Sequence, residues 1–183
     1  MSHLLAVDDE PHMLLLLERI VAEKTQHRLT TTSNSLEVPR LLEQLPIDVV
    51  ISDMRMPGLN GLDIVKLVNQ RKTSGAVILI TAFGSLDGAT EAFEEGAFGY
   101  LTKPFKKELL LLTVDRALAH VASRREAKEL CAVFDREPFA LAREGFERLY
   151  VRRLLQRAGG DYEVAAERSG LSLDRLAILA AAG

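Results

Sequence analysis

Ile47-Asp48-Val49-Val50-Ile51-Ser52-Asp53-Met54-Arg55-Met56-Pro57-Gly58-Leu59-Asn60-Gly61 opens on a short apolar run, meets an acid at Asp53 and ends in turn-forming residues. An apolar strand of this length, Ile47 to Ile51, is buried on both faces, and strands of that kind belong to parallel sheets. Pro57-Gly58-Leu59-Asn60-Gly61 supplies the break, because Pro fixes its backbone and Gly and Asn accept turn geometry. Beyond it Leu62, Ile64, Val65, Leu67 and Val68 return at helical spacing. Strand, loop and helix follow one another, with Asp53 just past the strand.

The same alternation extends both ways. Upstream, Leu4-Leu5-Ala6-Val7 is strand-like and breaks at Asp8-Asp9-Glu10-Pro11, and Leu14, Leu15, Leu17, Ile20 and Val21 then mark a helix. His27 to Thr32 is polar and rich in threonine, which suits a strand near a sheet edge. Leu36, Val38, Leu41, Leu42 and Leu45 mark a second helix. Downstream, Ala76-Val77-Ile78-Leu79-Ile80 is another buried strand, Thr90 to Ala97 a helix, and Phe98 to Leu101 a fifth strand closed by Lys103-Pro104. Five strands alternating with helices predict an α/β fold, a parallel sheet with both faces covered by right-handed crossovers.

From Lys106 the pattern becomes one long helical signal, through Leu109, Leu112, Leu118 and Val121 to Leu130 and Val133. The expected organisation is a first domain over 1–122, a charged helical linker over 123–138 broken at Phe134-Asp135-Arg136-Glu137-Pro138, and an all-helical piece over 139–183. Hydrophobic residues are 48% of the chain, charged residues 27% and aromatics 5%, so the core is aliphatic. The formal charge of −3 argues against broad electrostatic binding to nucleic acid or anionic membrane. Cys131 is the single cysteine and reads as an inert helix residue in a reduced, cytoplasmic compartment. Neither a secretory leader nor an apolar run long enough to span a membrane is expected.

Ligands of open parallel sheets sit at the carboxyl ends of the strands, near the point where strand order reverses. Those ends carry Asp8 and Asp9 after the first strand, Asp53 after the third, Thr81 after the fourth and Lys103 after the fifth. Three converging carboxylates repel, and a hard divalent cation such as Mg²⁺ removes the conflict. A metal held by two carboxylates neutralises an arriving phosphoryl group, Lys103 offers a point charge and Thr81 a hydroxyl. Asp53 would then be the nucleophile, forming an acyl phosphate.

At these residues the chain resembles the response-regulator receiver family. The matching stretches are Val7-Asp8-Asp9-Glu10-Pro11, Ser52 to Gly61, Ile80-Thr81-Ala82-Phe83-Gly84 and Gly96 to Phe105. The resemblance implies a flavodoxin-like five-stranded sheet in the order 2-1-3-4-5 and Asp53 as phosphoacceptor, loaded by a sensor histidine kinase. It implies Mg²⁺ held by Asp8, Asp9, Asp53 and the backbone carbonyl of Arg55. Thr81 and Tyr100 are implied as the switch pair, with Lys103 on the phosphoryl group and the face from Leu86 to Glu95 and Phe98 to Leu101 as partner surface. Family residues two beyond the acceptor and two beyond the switch threonine set how fast the phosphate is lost. Here these are Arg55 and Phe83, and Phe83 cannot orient an attacking water, so a long-lived phosphoryl group is expected.

In the C-terminal piece Phe146, Leu149, Tyr150, Leu154 and Leu155 line one helix face ending at Gly159-Gly160. Asp161 then caps Tyr162 to Arg168, and Gly170-Leu171-Ser172 turns into Leu173 to Ala182, a helix-turn-helix outline. Ala165 to Ser172 resembles the Fis-like DNA-binding unit of NtrC-type activators. No P-loop and no central ATPase segment accompany it, so ATP-driven promoter opening is not expected. Arg168, Ser172 and Arg175 are the candidate DNA contacts, yet the last helix offers few donors beyond them and Asp174 carries the wrong sign.

From Phe139 onward seven arginines stand against six acids, so release of phosphate counterions would be weak. The leading expectation is a two-component regulator controlling transcription through this unit, a homodimer through its helical half. The alternative is the same switch with a degenerate output used for protein contacts or dimerisation. A turnover enzyme such as an aspartyl phosphatase is disfavoured, because neither Met54 nor Arg55 can serve as general acid and no cap domain is present. Only intrinsic autophosphorylation and autodephosphorylation are expected.

Overall fold

The computed structural model describes residues 1–71, 75–135 and 138–181. Its first compact unit, Met1–Arg124, holds the whole sheet. The order is β1 (His3–Val7), α1 (Pro11–Lys24), β2 (Arg28–Thr32), α2 (Val38–Gln44), β3 (Val49–Asp53), α3 (Gly61–Gln70), β4 (Ala76–Thr81), α4 (Leu86–Glu94), β5 (Gly99–Thr102) and α5 (Lys107–Phe134), which continues into the second unit. The strands are parallel and ordered β2-β1-β3-β4-β5, as expected. The polar β2 lies at an edge, as its threonines suggested.

Successive strand residues point to opposite faces, and each face has its own core. Leu4, Ala6, Ile51, Ile78 and Ile80 pack with Leu17 and Val21 of α1 and Leu110, Val114 and Ala117 of α5. Leu5, Val7, Val50, Val77 and Leu79 pack with Val38 of α2, Ile64, Val65 and Val68 of α3, and Ala92 of α4.

Several elements are displaced from their expected bounds. β3 begins and ends later than Ile47–Ile51 and carries Asp53 as its last residue rather than beyond it. The second helix starts as a 3-10 turn, Ser35–Glu37, before α2. α4 starts at Leu86, not Thr90, because the Ser85 hydroxyl accepts the Gly88 amide and caps it. It ends before Ala97, where Gly96 adopts φ +91. β5 is shifted one residue to Gly99–Thr102. The segment expected as a linker is helical through Phe134, with Cys131 exposed on α5. Arg136 and Glu137 of the expected break lie outside the described residues.

The second unit, Arg125–Gly183, contains the end of α5, α6 (Phe139–Arg157), α7 (Tyr162–Ser169) and α8 (Leu173–Ala181). Val151, Ala165, Leu176 and Leu179 form its core. Asp161 caps α7 by accepting the Glu163 and Val164 amides, and Gly170 at φ +71 turns the chain into α8. Ala182 and Gly183, expected in the last helix or just past it, lie outside the described residues. Among the described residues no helix is long and apolar enough to cross a membrane.

His3 is buried at the amino end of β1, with its Nε2 2.8 Å from the Thr30 hydroxyl and its backbone amide donating to Asp48 at 2.8 Å. Burial, then the nearby Arg28, lowers its pKa, and Asp48 only partly opposes them. A histidine depressed in the folded state binds protons more readily unfolded, so its stabilisation is full above about 6.5 and lost as pH falls below it. Urea denaturation at pH 7.5 and 5.5 is expected to show stability falling by up to about 1.4 kcal/mol per pH unit from this group. His3→Gln flattens that slope; an unchanged slope would show that other groups set it.

Candidate functional site

Sheet register builds the site. Val7 lies beside Ser52 where β1 and β3 meet, so the next residues, Asp8 and Asp53, share the crevice at the reversal of strand order. Asp53 in turn lies beside Ile80, and Thr81 beside Thr102, which brings Thr81 and Lys103 to the same end. The Lys103 amide donates to the Thr81 carbonyl at 2.7 Å, fixing the lysine against β4.

Lys103 joins the two acids. Its Nζ is 2.9 Å from Asp8 Oδ2 and 2.7 Å from Asp53 Oδ1. Asp8 Oδ1 accepts the Glu10 amide at 2.9 Å, and Asp53 Oδ2 accepts the Arg55 amide at 2.7 Å. Burial raises the Asp8 pKa even though Lys103 and the Glu10 amide pull it down. For Lys103, burial works against its charge, but hydrogen bonds to Asp53 and Asp8 outweigh it and the pKa rises. Two buried carboxylates against one ammonium leave a surplus negative charge, and the exposed Asp9 follows directly on the chain.

The loop after Asp53 is pinned at Gly61, whose amide donates to Met54 O at 3.0 Å. A Cβ at Gly61 would come within 2.8 Å of the Asp53 carbonyl, so only glycine lets α3 start so near the acid. Asn60 and Asp63 close the helix start with a reciprocal capping box.

Thr81 is buried, and its hydroxyl accepts the Phe83 amide at 3.2 Å. A crevice of about 240 Å³ lies beside it, lined by Met54, Arg55, Phe83, Ser85 and the half-buried Tyr100. Across its mouth the Arg55 guanidinium stacks on the Phe83 ring, 5.5 Å from the centroid. The contact between Arg55 and Phe83 is not legible in the sequence, because it joins loops from different strands.

Asp8 and Asp53 offer only carboxylate oxygens to a metal, and their surplus charge fits a hard cation. Among the described residues no three His, Cys, Asp or Glu side chains are already set to hold a metal together. A metal here would draw on Asp8, Asp53, a main-chain carbonyl and water, with Asp9 alongside.

The three candidate DNA contacts each have an internal partner. Arg168 donates to the Arg157 carbonyl at 3.4 Å, Ser172 Oγ accepts the Arg175 amide at 3.3 Å, and Arg175 pairs with Glu147 at 2.6 Å. Arg148 pairs with Glu144, Arg152 with Glu129, and Arg153 with Glu126 at 3.0 Å. Leu173 and Ile178 leave α8 with exposed apolar side chains.

Residues 4–115 match the family model described as the response regulator receiver domain. The chain is 37% identical over 124 residues to the DNA-binding transcriptional regulator NtrC of Escherichia coli (strain K12), covering 68% of this chain and 26% of that protein. It thus spans about a quarter of the length of such relatives. A crystal structure of a response regulator receiver domain protein from Clostridium thermocellum superposes with a TM-score of 0.61 at 35% identity, over 65% of this chain and 95% of that one. The solution structure of the beryllofluoride-activated NtrC4 receiver domain dimer gives 0.62 at 30% identity, over 66% and 99%.

Proposed function

The chain belongs to the response regulator receiver family, and on that premise we propose that it is a two-component phosphorylation switch loaded on Asp53 by a sensor histidine kinase. The observation that carries this reading is the Asp8–Lys103–Asp53 bridge at the crevice between β1 and β3.

An Asp53 carboxylate oxygen attacks phosphorus, the bond to the donor's leaving group breaks, and an acyl phosphate remains. Lys103 is placed to shift from Asp53 to the incoming phosphoryl oxygens. Asp8, Asp9, Asp53 and the Arg55 carbonyl would hold Mg²⁺, which would supply neutralisation of the arriving charge. Phosphorylation adds about −1.5 to −2 charges, and Thr81 turns its hydroxyl toward them while Tyr100 moves into the adjoining crevice. Asp53 is followed by Met54 and Arg55, neither of which can act as a general acid, and this favours a phosphoacceptor over a turnover phosphatase; multiple turnover on small phosphate esters would overturn that reading.

Phe83, held in the Arg55–Phe83 stack, offers no polar atom to orient an attacking water. Phe83→Asn is expected to shorten the phosphoryl half-life several-fold, followed by loss of label; an equal or longer half-life in the variant would sink this reading.

A cytoplasmic location suits a chain whose single cysteine is unpaired. The three-helix outline after Phe139 supports a DNA-binding output controlling transcription, in line with the name of the NtrC relative, and the dimer named for the NtrC4 receiver structure supports a homodimer. A second reading is favoured by the arginine pairing: with those guanidiniums held by glutamates and an apolar α8 surface, the unit acts through protein contacts. Measuring mass and DNA affinity with and without beryllofluoride tests both. A salt-dependent specific complex supports the first, and no complex in either state supports the second.

A further inference from the structure

One face of α6 is used by neither the core of its unit nor the chemistry of Asp53. At 3.6 residues per turn, Phe139, Arg143, Phe146, Tyr150, Arg153 and Arg157 fall within an arc of roughly 80°. Neither acid of α6, Glu144 or Glu147, lies in that arc. The stripe runs the length of the helix, about 27 Å at 1.5 Å per residue. Its aromatics stand in solvent: Phe139 is 80% exposed, Phe146 47% and Tyr150 44%. Phe146 and Tyr150 stack with centroids 6.4 Å apart, so two adjacent rungs are already ordered.

Exposed aromatics cost free energy in water, and three on one helix face exceed the scattered apolar residues of an ordinary surface. Phe, Tyr and Arg are also the residues that concentrate in the centres of protein interfaces. The charge along the stripe narrows the partner. Five arginines stand against two glutamates in α6, and those within the stripe are arginines only. A second copy of α6 laid on this face would set arginine against arginine in either direction, because the first turn contains no acid. A nucleic acid would supply the opposite sign but would leave Phe139 and the stacked pair to bases that a duplex does not expose.

We propose that this stripe docks an acidic amphipathic helix of another protein, its apolar face on Phe139, Phe146 and Tyr150 and its carboxylates on Arg143, Arg153 and Arg157. The partner's acids would take over arginines now held loosely: Arg143 lies 3.8 Å from Glu147 with its side chain 67% exposed, and Arg153 pairs with Glu126 across a half-exposed surface. Helix-in-groove recognition of this kind reads apolar anchors at helical spacing and orients them by flanking charge. The inference rests on the protein-contact reading of the second unit and is independent of the Asp53 chemistry.

The test uses the full chain and a synthetic helix with leucines at i, i+3, i+7 and i+10 flanked by glutamates, beside a version with lysines in place of the glutamates. Fluorescence anisotropy is expected to give binding of the acidic helix at least tenfold tighter than of the lysine version, weakening as salt rises. Phe146→Ala with Tyr150→Ala lowers affinity at least tenfold, and Arg153→Glu with Arg157→Glu reverses the preference; circular dichroism checks that both variants fold. Equal binding of the two peptides, or binding that ignores both variants, overturns the proposal. So does a dimer, seen by sedimentation, that the aromatic variant dissolves while peptide binding is absent. A duplex DNA arm separates the two levels: a salt-dependent DNA complex without peptide binding refutes the protein-contact reading and the proposal with it, whereas the absence of both a DNA complex and peptide binding refutes the proposal alone.

Discussion

Asp53→Asn is expected to abolish incorporation of phosphate from acetyl phosphate, a loss of at least a hundredfold in hydroxylamine-labile label. The substitution keeps the size of the side chain and the acceptor for the Arg55 amide, so the loop beyond β3 stays in place. What it removes is the anionic oxygen, and an amide is a poor nucleophile toward phosphorus. Label retained on the variant, mapped by mass spectrometry to any other residue, would displace Asp53 from its role. Circular dichroism that matches the parent ensures that the loss is chemical.

Lys103→Ala has the largest expected effect on the fold itself. Its ammonium stands between two buried carboxylates, and removing it leaves both without their cation. Breaking a buried pair by deleting one partner costs about 3–5 kcal/mol, because the remaining charge is desolvated and unmatched. Here the loss sits near the lower end, since burial already raises the Asp8 pKa and lets that acid take up a proton. Urea denaturation in EDTA at pH 7.5 is expected to show a loss of about 3 kcal/mol. Two additions should reverse most of it: millimolar Mg²⁺, and the second substitution Asp8→Asn. A variant as stable as the parent in EDTA would mean that the lysine does not compensate the acids. The pH dependence follows in sign. A raised Asp8 pKa makes ionisation unfavourable in the folded state, so the penalty in the variant grows as pH rises through the carboxylate range and fades below it.

The strand ends are readable because β1, β3 and β4 carry continuous apolar runs, which stop at Asp8, at Ser52 just before Asp53, and at Thr81. Parallel pairing then leaves little freedom, since neighbouring strands must end together. Less was legible where a helix has almost no buried side. In α4 only Ala92 is buried, so periodicity could not place its start, and the capping hydroxyl of Ser85 decided it. The one-residue shift of β5 has a similar cause, for Gly99 contributes no side chain to the pattern. Ion pairing was out of reach altogether. Glu147 and Arg175 are far apart in sequence, and nothing in either neighbourhood announces that they meet. Motif position alone points to Arg168, Ser172 and Arg175, and only the tertiary arrangement shows that each already has an internal partner.

The register that sets Asp8 beside Asp53 also draws its other members from as far along the chain as Lys103. A ribosome that has released only β1 to β4 has made a polypeptide with acids and no ammonium to match them. Charge balance at Asp8 and Asp53 therefore arrives late in synthesis and all at once, when the last strand docks. The Asp8–Lys103–Asp53 bridge is the last part of this crevice to close, so its presence marks a sheet that is complete from β1 to β5.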